Sequence, residues 1–154
     1  MPVANYYTEV PAAKSVSEIT AMLRVHRARM INTTYNPVNG EPEGIFFVVA
    51  TKSGDVGFSL PANIQKVEQL ILKERKKPPK TWEDDYKESM ERIHTQAANT
   101  GWRIIKDWVR AQMAIIDTEI VSLEEVFLPY MEMKDGRTLF NVLEEKKFYL
   151  TEGK

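Results

Sequence analysis

Residues 100–117 read TGWRIIKDWVRAQMAIID, with Trp102 and Trp108 six positions apart and basic residues between and just beyond them. On a helix, at about 100° per residue, Arg103, Lys106, Asp107, Arg110 and Asp117 fall on one narrow stripe. Trp102, Ile105, Trp108, Val109, Met113, Ile116 and Ile120 fill much of the remaining surface, and Ile104 and Ile115 widen the apolar arc. A helix this apolar is buried over most of its girth. Aromatic rings that stack bases must instead stand in solvent. These tryptophans lie among isoleucines, so the stretch predicts a central core helix with a thin charged face, in preference to a nucleic-acid grip.

Upstream, Trp82, Tyr86, Met90, Ile93 and Ala97 form a stripe that continues in phase through Gly101, Ile105, Trp108 and Gln112. The shared phase predicts one long helix over 82–120. A break at Asn99–Gly101, giving two helices, is the other arrangement the pattern permits. Gly101 costs roughly 1 kcal/mol against alanine inside a helix, which implies close approach of a neighbouring backbone. Thr81, opening TWED, offers a cap.

The first half follows a different rhythm. SVSE at 15–18 predicts a capping box between Ser15 and Glu18, with Ile19, Met22, Leu23 and His26 carrying a first helix to about Arg29. MINTTYN (30–36) alternates, with Ile31, Thr33 and Tyr35 on one face. NPVNGEPEG is a turn. IFFVVAT (45–51) is apolar at nearly every position and predicts a strand covered on both faces. After KSGD, VGFSL (56–60) places Val56, Phe58 and Leu60 together. The short connections predict an antiparallel meander with 45–51 in the middle. Pro61 ends the third strand, and Asn63 caps a helix with Ile64, Val67, Leu70 and Ile71 inward, stopped by Pro78 and Pro79. Beyond the long helix, SLEE at 122–125 is a further capping box, leading a short helix that ends at Pro129. KDG (134–136) is a turn, and TLFNVLEEKK a final short helix.

The fold class expected is therefore α+β: a three-stranded antiparallel meander flanked by helices (α-β-β-β-α), then a long tryptophan-bearing helix and short C-terminal helices. Residues 1–14 read as an N-terminal arm packed through Tyr6 and Tyr7. Residues 15–154 read as a single domain, with an α-β-β-β-α part (15–77) and a helical part (81–154). The length of 154 residues suits one such core without staples.

Composition narrows the chemistry. The chain has no cysteine, which excludes disulfides, thiolate metal sites and cysteine nucleophiles. No apolar run approaches the ~20 residues of a membrane span, and the N-terminus lacks a secretory pattern. A cytoplasmic protein is expected. A formal net charge of −1 means that any hold on nucleic acid must rest on local patches.

The sharpest such patch is LKERKKPPK, where Lys73, Arg75, Lys76, Lys77 and Lys80 outnumber Glu74. Clustered cations gain affinity for phosphates through counterion release, although cations also suit a helix C-terminus. Arg24, His26, Arg27 and Arg29 form a second basic group, and if both helices cover one sheet face the two join into one patch. The order helix–three strands–helix echoes the double-stranded-RNA-binding domain, but the start of the second helix, PANIQK, lacks the lysine cluster that domain presents to phosphates. Glu91 and His94 have the i, i+3 spacing of helical carboxylate–histidine metal sites. No second such motif occurs, so the segment EDDYKESMERIH reads as a solvated acidic helix start. Nucleophile elbows, P-loops and dinucleotide turns are missing, and neither catalytic residues, cofactor nor metal is expected. VFLPYMEM concentrates Phe127, Leu128, Tyr130 and Met131, as a lid on the core or as an adaptable partner surface.

FSLPANIQKVEQL, WRIIKDWVRAQMAII, EEVFLPYM and GRTLFNVL, in that order, resemble a family of small, functionally uncharacterised proteins encoded by bacteriophages, prophages and other mobile elements. The likeness spans roughly residues 16–147 and rests on the joint spacing of Pro61, Trp102, Trp108, Gln112 and Leu128-Pro129. It implies a phage or integrated-element gene, often in DNA-handling neighbourhoods, and carries no catalytic residues over. Two functions follow as expectations. One is a non-catalytic accessory protein that meets nucleic acid through Lys73, Arg75, Lys76, Lys77, Lys80, Arg24, Arg27 and Arg29. The other is an interaction module that inhibits or recruits a host or defence protein through Phe127, Leu128, Tyr130 and Met131. Either is compatible with a homodimer formed through the long helix.

Overall fold

The computed structural model describes residues 3–74 and 83–147, with side chains for 3–74 and 89–147. Its longest element is a helix, Glu83–Asp117, unbroken over 35 residues and so roughly 52 Å long at 1.5 Å per residue. The element order is α1 (Ala12–Val25), β1 (Ala28–Tyr35), β2 (Pro42–Thr51), β3 (Gly54–Ser59), α2 (Ile64–Glu74), α3 (Glu83–Asp117), α4 (Leu123–Phe127), a 3₁₀ turn (Leu128–Tyr130) and α5 (Leu139–Glu145). The strands form an antiparallel meander in the order β1-β2-β3. This is the α+β architecture expected, with α3 continuous through Asn99 and Gly101.

Both positions are used rather than merely tolerated. The Asn99 carboxamide oxygen accepts from the Ala12 backbone N–H at 2.9 Å, satisfying an orphan donor at the start of α1. This cap from a distant helix replaces the expected one. Helix α1 begins at Ala12 behind Pro11, and Ser15 lies inside it, fully buried, its hydroxyl without a hydrogen-bond partner among the described residues. The other end is also earlier than expected: α1 stops at Val25, and Arg29 already belongs to β1. At Gly101 an added Cβ would lie 2.6 Å from Ile64 Cδ1 and 3.4 Å from Val67 Cγ2. The glycine makes room for side chains of α2, not for a backbone.

Contacts along α3 set the direction of its neighbours. Ala12 meets Asn99, Glu18 meets Lys106, and His26 meets Asp117, so α1 runs parallel to α3. Ile64 meets Gly101 and Glu68 meets His94, so α2 runs antiparallel. The helix α2 packs chiefly against α3, with Ile64 also reaching the main core. One core cluster joins α1 (Ile19, Leu23), the sheet (Phe47, Val49, Phe58), α3 (Trp102, Val109) and Phe127; a smaller one joins Ile71, Ile93 and Ala97. The two sequence parts, 15–77 and 81–154, therefore contribute to one core. In α2, Ile71 is buried as expected, but Leu70 is 49% exposed.

The sheet departs from expectation on its second face. In β2, Ile45, Phe47 and Val49 are buried while Phe46 and Val48 are half-buried and Ala50 is exposed. The strand is covered on one face only, because the helices lie on one side of the sheet. On the open face the Phe46 ring covers Gly57, where a Cβ would stand 2.5 Å from the ring. The apolar run thus reflects a ring laid over a glycine rather than a second layer of helices.

Trp102 is the largest fully buried side chain, and its indole N–H donates to the Pro42 carbonyl at 2.8 Å. Trp108 is half-buried, edge-on to Phe127 and Tyr130 at centroid distances of 5.6 Å. Trp102→Ala is expected to cost about 3–5 kcal/mol, and Trp108→Ala less. Trp102→Phe, which leaves the Pro42 carbonyl without its donor, should cost roughly 1–3 kcal/mol. Urea unfolding of the three variants checks the order; a Trp102→Ala midpoint equal to wild type would place that ring outside the core.

Candidate functional site

The basic residues come first, since they carried the leading expectation. Helices α1 and α2 run in opposite directions along α3, so their C-termini separate. His26, at the end of α1, contacts Asp117, whereas Glu68 of α2 contacts His94 and Lys73 lies beyond it. The 23 positions from His94 to Asp117 span roughly 35 Å of helix. Lys73, at the end of α2, therefore lies far from the basic group at the end of α1. Lys73 and Arg24 are exposed and form no ion pair with another described residue. Arg27 pairs with Glu124, and Arg29 places Nη1 3.2 Å from both carboxylate oxygens of Asp55. Arg75, Lys76, Lys77 and Lys80 lie outside the described residues, as do Thr81 and Trp82.

The partner segment also divides. Phe127 is fully buried against Phe47, Phe58 and Trp108; as a core residue it is not a contact surface. Met131 bridges Phe58, and the Glu132 N–H donates to the Gly57 carbonyl at 2.8 Å, so the segment closes the outer edge of β3. Leu128 remains 44% exposed, and Tyr130 is half-buried. The Ser122–Glu125 capping box and the turn at 134–136 stand as expected.

The charged stripe of α3 is not fully solvated. Lys106 is 3% exposed, its Nζ 2.9 Å from Asp107 Oδ1 and 3.7 Å from Glu18 Oε2. Asn5 Nδ2 donates to the second Asp107 oxygen at 3.2 Å. The arm is held further by Gln96, which donates to the Tyr6 carbonyl, and by Thr100, which donates to the Asn5 carbonyl. Tyr6 packs beside Ile71, but Tyr7 is 86% exposed and does not anchor the arm. The Lys106 hydrogen bond holds the Asp107 carboxyl below its ordinary value, against the upward push of burial, with Asn5 and Arg103 assisting. At Glu124 burial pushes upward, and a backbone N–H and Arg27 together outweigh it.

What sequence reading missed is a groove between the β1–β2 connection, the start of α2 and the middle of α3. Its two adjoining parts, about 600 Å³ and about 660 Å³, share Asn36, Asn39, Glu41 and His94. Glu41, Glu43, Glu68 and Glu91 supply carboxylates, Asn63 and Gln65 add amides, and among the described residues no Lys or Arg lines either part. His94 Nδ1 lies 2.8 Å from Glu68 Oε2. His94 thus engages a carboxylate on α2, and no group of three or more metal-ligating side chains occurs among the described residues. The signal available in sequence was the acidity of NPVNGEPEG; what it lacked was that this loop faces His94.

Compared with protein-family models, curated proteins and solved structures, the chain matches none. No helix among the described residues is long and apolar enough to cross a membrane.

The Asp107 carboxyl has a folded-state value below its ordinary 3.8. Its contribution to stability is fully present above the unfolded value and is lost as pH falls through the folded one. Asp107→Asn should therefore lower Tm at pH 7, with the gap to wild type closing below about pH 4. Thermal melts across that range check the sign; a gap that widened in acid would contradict it.

Proposed function

We propose that this chain is a non-catalytic accessory protein of a phage or other mobile element that acts by binding a partner protein, and that the groove receives a basic segment of that partner. The supporting observation is the lining of the groove: four carboxylates, several amides and, among the described residues, no Lys or Arg. Such a surface attracts lysine and arginine side chains, which carboxylates bind with charge-assisted hydrogen bonds, and it repels phosphate. The resemblance set out above supports the mobile-element origin, and a host or defence protein is the class of partner it implies.

Nucleic-acid association is the second reading. It is favoured by one observation, the exposed Lys73, which pairs with no other described residue and heads the run of cations at 73–80.

Fluorescence anisotropy separates the two. Labelled oligo-arginine peptide and labelled single- and double-stranded DNA and RNA are titrated at two salt concentrations. The peptide is expected to bind, more weakly at high salt, and to lose at least about tenfold in affinity in the Glu41→Lys/Glu43→Lys variant. Nucleic acid that bound at low salt, and was released when the cations at 73–80 were reversed, would shift the assignment to the second reading.

A further inference from the structure

The two edges of the sheet are treated differently. The outer edge of β3 is closed by the chain itself, through the bridge between Phe58 and Met131 and the Glu132 N–H to Gly57 carbonyl bond. The outer edge of β1 is paired with nothing among the described residues. Exposed edges usually carry lysine, proline or an inward-pointing charge that blocks further pairing. Strand β1, ARMINTTY, has none of these between its two register shifts, over Met30 to Thr34. Its only charge, Arg29, lies at one end and is already engaged by Asp55.

We infer that β1 is an assembly edge and that its partner is β1 of a second copy of this chain, paired antiparallel about a two-fold axis at Asn32. The backbone geometry selects this register. The Leu60 N–H donates to the Ile45 carbonyl at 2.9 Å, so the polar groups of Ile45 face β3 and those of its neighbour Phe46 face β1. Phe46 is opposite Asn32, and Ile45 is opposite Thr33. The N–H and C=O groups of Asn32 therefore turn inward, while those of Ile31 and Thr33 turn outward and are free to pair. An axis at Asn32 sets Ile31 against Thr33 of the second copy, in hydrogen-bonding register and with both side chains on the helix-covered face. It sets Met30 against Thr34 on the open face, where both are exposed. No pair opposes like charges, which is the electrostatic condition for self-pairing. The product is a six-stranded sheet whose open face joins Met30, Phe46 and Val48 of both copies. This replaces the long helix as the dimer element, because α1, α2 and the sheet already occupy the apolar sides of α3. The inference does not depend on what the groove binds.

The test combines mass, cross-linking and charge. Light scattering during size exclusion should give twice the chain mass of 17.8 kDa. The chain has no cysteine, so Asn32→Cys introduces a single thiol per copy. Non-hydrogen-bonded antiparallel pairs bring Cα atoms to about 4.5 Å, within disulfide reach. Oxidised Asn32→Cys should run as a covalent dimer, whereas Ser53→Cys, in the β2–β3 turn, should not. Met30→Lys/Thr34→Lys places lysines opposite each other across the axis and should weaken dimerisation by roughly tenfold or more. Met30→Lys/Thr34→Glu, which makes each pair complementary, should restore it. These side chains are exposed, and circular dichroism confirms that each variant is folded. A monomer in the light-scattering experiment overturns the inference. So does a dimer that neither cross-links at position 32 nor responds to the lysine pair, since it would use another surface.

Discussion

The burial of Trp102 at the middle of α3 is the constraint around which the other elements arrange. A tryptophan with no exposed surface needs apolar neighbours on every side and an acceptor for its indole N–H. The structure meets the first need with the inward face of the sheet and with α1, and the second with the carbonyl of Pro42. That single bond joins the centre of the longest helix to the start of the central strand. One turn to either side, Asn99 caps α1 and Lys106 engages Glu18 and Asp107. The middle of α3 is thus a line of attachment points for everything that precedes it in the chain.

The parallel course of α1 and the antiparallel course of α2 along α3 decide where charge accumulates. Their basic ends part by more than half the length of α3, and acidic residues from α4 and β3 take up Arg27 and Arg29. Where the β1–β2 connection meets α2 and α3, carboxylates converge instead. A near-neutral chain therefore folds into a molecule with locally distinct surfaces, one of them an acidic concavity.

The sheet has a similar asymmetry. Helices cover one face, the segment after Phe127 seals one edge, and Phe46 laid over Gly57 shields part of the other face. Among the described residues, the outer edge of β1 has no such device. The outer backbone of β1 and the groove at the β1–β2 connection adjoin at Thr34, which belongs to the strand and also lines the groove.

The sequence by itself determined the α+β class, the meander and the capping box at Ser122, and it favoured one long helix for α3 while leaving a break at Asn99–Gly101 open. Each rests on local periodicity or on residues a few positions apart, which the chain carries without knowing its distant neighbours. Only the tertiary structure decided the rest. Asn99, which in sequence looked like a helix break, is a cap for α1; Ser15, which looked like a cap, is buried; Lys106, on the charged stripe, is interior. Phe127 belongs to the core, while Leu128 beside it is exposed. The acidic groove was not legible because its carboxylates come from β1–β2, α2 and α3 and meet only when α2 folds back along α3. The physical reason is common to all of these: a polar or apolar side chain at a given position is assigned its role by what the far parts of the chain place against it, and periodicity carries no information about that.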